Sequence, residues 1–347
     1  MKKLILSVSI FAFLTSCSTS KNASELDATI DYAAKYAETI TEKDLAKHLF
    51  IYASDEFEGR DTGEPGQKKA AAYLKDFYVQ KGIASPIGSN DYYQEVPASF
   101  LNQSIRGRGL KDSENVVAFI KGSEKPDEIL VISAHLDHVG IKFGKVYNGA
   151  DDDGSGTVAI LEIAEAFQQA VKEGKGPKRS ILFLHVTGEE KGLLGSKYYV
   201  ENPIFPLKNT VANLNIDMVG RIDDRHKNDR NFIYLIGSDK LSTDLHNLSE
   251  EMNSKYMNIS LDYKYNDEGD PNRFYYRSDH YNFAKYNIPI IFYFNGTHED
   301  YHQHTDTPDK INYDLLQNRS RLIFHTAWEI ANRDARLVVD KPVAVQH

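Results

Sequence analysis

The chain has 347 residues and a formal charge of −9, from 41 Lys and Arg against 50 Asp and Glu. An apolar share of 41% with 26% charged residues is that of an ordinary globular protein, which excludes a disordered, collagenous or multi-span membrane chain. A single Cys excludes a disulfide framework or a thiolate metal cluster, and the acidic balance argues against nucleic acid, whose phosphates need clustered Lys and Arg. The length allows two domains or one large α/β domain.

Met1-Lys2-Lys3 and the apolar run from Leu4 to Leu14 form the pattern of a secretory signal. That run is too short to span a hydrocarbon core of about 30 Å. Leu14-Thr15-Ser16-Cys17 resembles the bacterial lipobox. The resemblance implies a signal peptide over residues 1–16, a lipid on Cys17 and a tether over residues 17–26. The expected address is the cell envelope, reached by export, with the membrane contacted only through that lipid. Ser18 after the Cys favours the outer membrane. The alternative is a plain signal peptide with an incidental Cys.

One folded domain is expected over residues 27–335, followed by a tail over 336–347. Asp27 to Phe50 reads mostly as helix. Ser54 to Arg60 is a loop, extended by Gly63, Pro65 and Gly66. The spacing of Ala71, Leu74, Phe77 and Tyr78 predicts a helix over Gln67–Lys81. Predicted strands then follow at Asn115–Ile120, Ile129–Ala134, Ser180–His185, Val211–Ile216, Phe232–Ile236 and Pro289–Phe294. Several are continuous apolar runs, which suits strands buried on both faces. Predicted helices alternate with them at Gly156–Lys172, Gly192–Val200, Ser242–Lys255, Tyr281–Lys285 and Tyr313–Asn332. The alternation implies a three-layer α/β/α fold with a mostly parallel, mixed central sheet. In such sheets, ligands bind at the carboxyl ends of the strands.

Those ends carry the chemistry. The first leads into His135-Leu136-Asp137-His138, where His135 and Asp137 share one side of an extended chain. A ligating His is often held through its other ring nitrogen by a carboxylate. Next, Asp151-Asp152-Asp153 sits between glycines and precedes an apolar helix, where a cation would offset the repulsion. Asp151, Asp153, Ser155 and Glu162 also match positions 1, 3, 5 and 12 of an EF-hand loop, but no entering helix precedes them. Glu189-Glu190 ends another strand and can place one carboxylate on a metal and one on a water. The same pair could simply favour a helix N-terminus. Asp217 follows the next strand, and His302 and His304 lie in a late loop. Together the set is N and O ligands without thiolate, which suits zinc or a similar divalent ion. Five ligands exceed the three of one catalytic site, so two ions sharing a bridging carboxylate is the economical reading.

These residues resemble the zinc aminopeptidases of peptidase family M28. The resemblance rests on His135-Leu136-Asp137, Gly149 to Gly156, Gly188-Glu189-Glu190 with Gly192 to Ser196, Asn215 to Met218, and Tyr301-His302 followed by Asp306-Thr307. Ser54 to Arg60 and Arg277-Ser278-Asp279-His280 match its approach segment and late loop. The likeness implies a bridging Asp152, with His135 and Asp217 on one zinc and Glu190 and His302 on the other. Glu189 would be the general base and Asp137 would orient His135. His302 fits the ligand place because it lies four residues before Asp306. His138 and His304 become bystanders or substrate-side groups. Tyr275 or Tyr276 could reach the oxyanion, although packing is the ordinary role of a Tyr. The implied function is an exopeptidase, an aminopeptidase acting on peptides. Glutaminyl cyclase chemistry on one zinc, a carboxypeptidase using Arg273 or Arg277, and an inactive surface binding protein are the alternatives.

Overall fold

The computed structural model describes residues 30–343. In chain order the elements are α1 (Tyr32–Ala37), α2 (Glu42–Tyr52), α3 (Pro65–Lys81), β1 (Tyr93–Val96), α4 (Ala98–Leu101), β2 (Ser113–Ile120) and β3 (Lys125–His135). A hairpin of β4 (Ile141–Lys142) and β5 (Lys145–Val146) follows, then α5 (Gly156–Lys172), β6 (Arg179–Val186), α6 (Leu194–Glu201) and β7 (Thr210–Ile216). The chain continues through β8 (Phe232–Ile236), α7 (Thr243–Met252), β9 (Ser260–Asp262), α8 (His280–Ala284), β10 (Ile290–Phe294) and α9 (Tyr313–Asn332). None of the described helices is long and apolar enough to cross a membrane.

The eight-stranded sheet has the order β1-β2-β6-β3-β7-β10-β8-β9. Its centre, β6-β3-β7-β10, is parallel, while β1-β2, β2-β6 and β8-β10 pair antiparallel. The sheet is therefore mixed, as expected, with the parallel strands grouped where the candidate ligands emerge.

Alternation along the strands builds both layers. Leu130, Ile132 and Ala134 of β3 face one core with Ile160, Ile163 and Phe167 of α5 and Leu316, Ile323 and Phe324 of α9. Ile129 and Val131 face the opposite side with Tyr199 and Val200 of α6 and Phe283 of α8. Helices thus cover both faces of one sheet.

The structure differs from the expectation in three places. The helical stretch near the start is two helices, because Asp31 and Thr41 each accept a backbone N–H bond and begin a new turn. The edge strands β1 and β9 are four and three residues long, too short for periodicity to show. Residues 336–343 are not a free tail. Leu337 is buried, an Nη of Arg336 donates to the carbonyls of Lys208 and Thr210, and Val343 N–H donates to Asn287. Packing against the domain fixes this polar, valine-rich segment. The expected signal peptide, Cys17 and the expected tether lie outside the described residues.

Candidate metal centre

Four parallel strands end on one side of the sheet, and each supplies part of the site. His135 is the last residue of β3, Glu189 and Glu190 follow β6, Asp217 follows β7, and His302 lies in the loop after β10. Asp152 arrives from the turn before α5. Gly149 makes that turn possible: its φ is +53°, and a Cβ there would stand 2.2 Å from the Asp152 carbonyl oxygen. Gly156 does the same at the helix start, where a Cβ would meet Ile216 O at 2.5 Å.

The bridging geometry is explicit. Nε2 of His135 lies 3.1 Å from Oδ1 of Asp152 and 3.6 Å from Oδ1 of Asp217. Nε2 of His302 lies 3.0 Å from Oδ2 of Asp152 and 3.3 Å from Oε2 of Glu190. Ligand atoms about 2.1 Å from one tetrahedral ion stand roughly 3.4 Å from each other. The two clusters match that spacing and share Asp152.

Unpartnered atoms point the same way. Nε2 of His135, Oδ2 of Asp152 and Oε1 of Glu190 are buried without a properly formed hydrogen bond. Such groups are costly to bury unless a ligand compensates them. Burial would raise Asp152, but the imidazoles of His135 and His302 close beside it hold it well below the usual carboxylate range. Burial and neighbouring Asp152 would raise Glu190, yet His138 and His302 bring it down to about 2. Burial opposes the charged form of His302, but Asp152 and Glu190 push it up to about 10. In effect the carboxylates stay charged and hold a proton on His302, and a divalent cation satisfies the same demand for positive charge. The residues present fit a pair of such ions.

Two grouped residues need separating from the ligand set. Asp153 lies with His135 and Asp217. Its oxygens are already used, since Oδ2 accepts from the His135 N–H and Oδ1 from the N–H groups of Gly156 and Met218. It ties the ends of β3 and β7 to the start of α5. His138 lies with Asp152 and Glu190, its Nδ1 2.8 Å from Oε1 of Glu190 and 3.8 Å from Asp152. It faces the Glu190 oxygen that His302 does not.

Asp137 acts differently from the expectation. Nδ1–H of His135 donates to the main-chain carbonyl of Asp137 at 3.0 Å, while the Asp137 carboxylate is 3.9 Å away. Its oxygens instead accept from Thr62 Oγ1 and from the Glu189 N–H at 3.1 Å. The carboxylate thereby fixes the backbone of the expected base. Glu189 itself lines the cavity over the site, and burial with Asp217 and Glu190 nearby raises its carboxyl well above the ordinary value.

The remaining candidates divide cleanly. His304 turns away to Lys145 of the hairpin. Asp151 is saturated by Ser155, Gly220, Asn295 and His298, and Glu162 faces His48, so the EF-hand pattern assembles no site. Tyr276 lines the cavity, whereas Tyr275 packs against Gly237. Three residues that the sequence offered only as parts of matching motifs acquire roles here. Tyr301 also lines the cavity and stacks on His302 at 4.0 Å. Ser278 Oγ donates to Oδ2 of Asp217 at 2.6 Å and leaves Oδ1 for His135. The buried Arg60 donates to the carbonyls of Leu136, Asn148 and Gly149.

A profile of peptidase family M28 matches residues 115–327. The chain belongs to that family. Among curated relatives, this M28 chain is 33% identical over 142 residues to a probable glutamate carboxypeptidase of Arabidopsis thaliana, covering 40% of this chain and 20% of that one. It is 34% identical over 135 residues to an aminopeptidase of Mus musculus, covering 38% and 17%. It therefore spans about a fifth of the length of these relatives. Among solved structures, an aminopeptidase of Legionella pneumophila superposes with a TM-score of 0.65 at 22% identity, over 87% of this chain and 75% of that one. An aminopeptidase of Aneurinibacillus superposes with 0.65 at 16% identity, over 90% and 98%. These likenesses show that the M28 chain shares their fold.

Proposed function

We propose that this M28 chain is a di-zinc exopeptidase, an aminopeptidase that removes N-terminal residues from peptides with Glu189 as general base. The observation that carries the reading is the division of Asp152 between two His–carboxylate pairs, His135 with Asp217 and His302 with Glu190. Two zinc ions, when bound there, supply Lewis acidity toward a water and a peptide carbonyl.

The chain's own residues do the rest. The carbonyl of Asp137 holds Nδ1–H of His135 and leaves Nε2 free for a metal. Glu189 takes a proton from the attacking water at its carboxylate and returns it to the leaving amine. The Asp137 carboxylate fixes the Glu189 backbone during that transfer. Tyr276 and Tyr301 line the cavity with hydroxyl groups that can donate toward a developing oxyanion.

The full expected ligand set is present, which argues against an inactive binding protein or a single-zinc cyclase. Hydrolysis of a peptide with a free N-terminus, compared with its N-acetylated form, tests the reading. Cleavage of the free peptide alone supports an aminopeptidase, whereas equal cleavage of the acetylated peptide favours a carboxypeptidase. We also infer an exported lipoprotein anchored through Cys17, a reading that rests on the lipobox-like Leu14–Cys17 segment.

A further inference from the structure

The cavity over the site measures about 710 Å³ and its lining carries charge of both signs. The acidic side chains are Asp152, Glu189, Glu190 and Asp217. The basic ones are Arg106, Arg273 and Arg277. Elsewhere, some arginines of this protein meet carboxylates, as Arg221 does Asp300 at 3.0 Å, Arg230 Asp314 at 2.6 Å and Arg333 Asp244 at 3.0 Å, while Arg60, Arg319 and Arg321 are taken up by main-chain carbonyls. Among the described residues, the three cavity arginines pair with no carboxylate.

They are nonetheless placed. The Arg273 guanidinium lies 4.9 Å over the Tyr276 ring, and that of Arg277 lies 4.8 Å over the Phe274 ring. Arg277 also donates to the hydroxyl of Tyr301 at 3.3 Å. Arg106 comes from another loop, its stem close to Gly192, just after Glu189 and Glu190. Stacking on aromatic rings orients a guanidinium without using up its in-plane donors.

One explanation is that these cations offset the acidic side chains. Charge counting argues against it. Four carboxylates line the cavity, and two divalent ions carry four positive charges. With the ions bound, the acidic side chains are neutralised and the three arginines remain in surplus. Nor does a fifth carboxylate line the cavity to receive a substrate ammonium.

We propose that these cavity arginines bind a carboxylate of the peptide substrate, so that the enzyme favours peptides that carry one within reach of the site. This rests on the exopeptidase reading above. The group is either an acidic side chain or the free C-terminus of a short peptide, since both present the planar anion that a guanidinium fork pairs with.

The test uses the zinc-loaded enzyme and four tripeptides: Ala-Glu-Ala and Ala-Gln-Ala, each as free acid and as C-terminal amide. In the wild type, replacing the recognised carboxylate by its amide lowers kcat/KM at least tenfold, mainly through KM. The arm that falls identifies the source as side chain or C-terminus. In Arg273→Gln/Arg277→Gln, with zinc content and circular dichroism matching the wild type, that discrimination collapses to within threefold. Wild-type rates within threefold across all four peptides would overturn the proposal, as would discrimination that survives in the double variant. Calorimetric binding of the same peptides to zinc-loaded Glu189→Gln reads carboxylate recognition without turnover. Carboxylate-dependent binding with no hydrolysis by the wild type would sink the exopeptidase reading, while hydrolysis with carboxylate-independent binding would sink the arginine assignment.

Discussion

Oδ2 of Asp152 stands 3.0 Å from Nε2 of His302, on the side of the carboxylate opposite to the oxygen that meets His135. One side chain therefore belongs to both halves of the site, whereas Asp217 and Glu190 each belong to one. The difference predicts unequal consequences. Asp152→Ala should lose both zinc ions, and Asp217→Ala only one. Metal analysis after gel filtration checks this. Equal losses in the two variants would deny Asp152 its bridging place.

Glu189 lines the cavity but belongs to neither candidate metal group, and its backbone is held by Asp137. Glu189→Gln keeps the shape and removes the base. Peptide hydrolysis should fall by about 10²–10⁴-fold with two zinc ions retained. Near-normal turnover would refute the assignment.

His302 and His304 are two residues apart but face opposite ways, toward Asp152 and toward Lys145. His302→Ala should lose one zinc and most activity. His304→Ala should keep both ions and lose less than about threefold in kcat. The reverse pattern would exchange their places.

Ser278 holds one oxygen of Asp217 and receives a hydrogen bond from Asn215, which in turn accepts from Ser133. Loss of such a supporting bond typically weakens metal affinity by about 10–100-fold. Ser278→Ala should release one zinc at lower chelator concentration than the wild type, with unchanged thermal stability of the metal-free protein. An unchanged chelator profile would mean that the bond does not tune the site.

Glu162 lies far from this chemistry and gives a pH signature. Its Oε1 is buried without a hydrogen bond, 3.6 Å from Nε2 of His48. Burial, with Glu165 and Asp44 nearby, pushes its carboxyl up to about 8 from 4.5. A raised folded-state pKa means stability that is complete below pH 4.5 and is lost as pH rises through 8. Glu162→Gln should therefore be more stable than the wild type at pH 8.5, by roughly 2–4 kcal/mol, and nearly equal to it at pH 4.5. Thermal melts at both pH values check this; a pH-independent difference would contradict it.

The centre of the fold was legible because β3, β6 and β7 are largely buried on both faces and read as mainly apolar runs that lead to chemical residues. His135, Asp152, Glu190, Asp217 and His302 lie far apart in sequence; the rule that ligands gather at parallel strand ends gathered the candidates, and the resemblance to family M28 chose among them. The roles that escaped are set by contacts rather than by pattern. Arg60 works through main-chain carbonyls, Ser278 through one carboxylate oxygen, and residues 336–343 through scattered hydrogen bonds. None of these leaves a periodic trace. Asp137 was placed on the right imidazole but through the wrong atom, because its carbonyl and carboxylate cannot be told apart from the sequence.

The central claim is a zinc pair that serves peptide hydrolysis. The direct measurement is titration of zinc into chelator-stripped protein, following bound metal and the hydrolysis of a free-N-terminal peptide together. Two zinc ions bound per chain, with full activity reached only at the second equivalent, is the predicted result. Full activity at one equivalent, or two bound ions with no hydrolysis of any peptide, would contradict it.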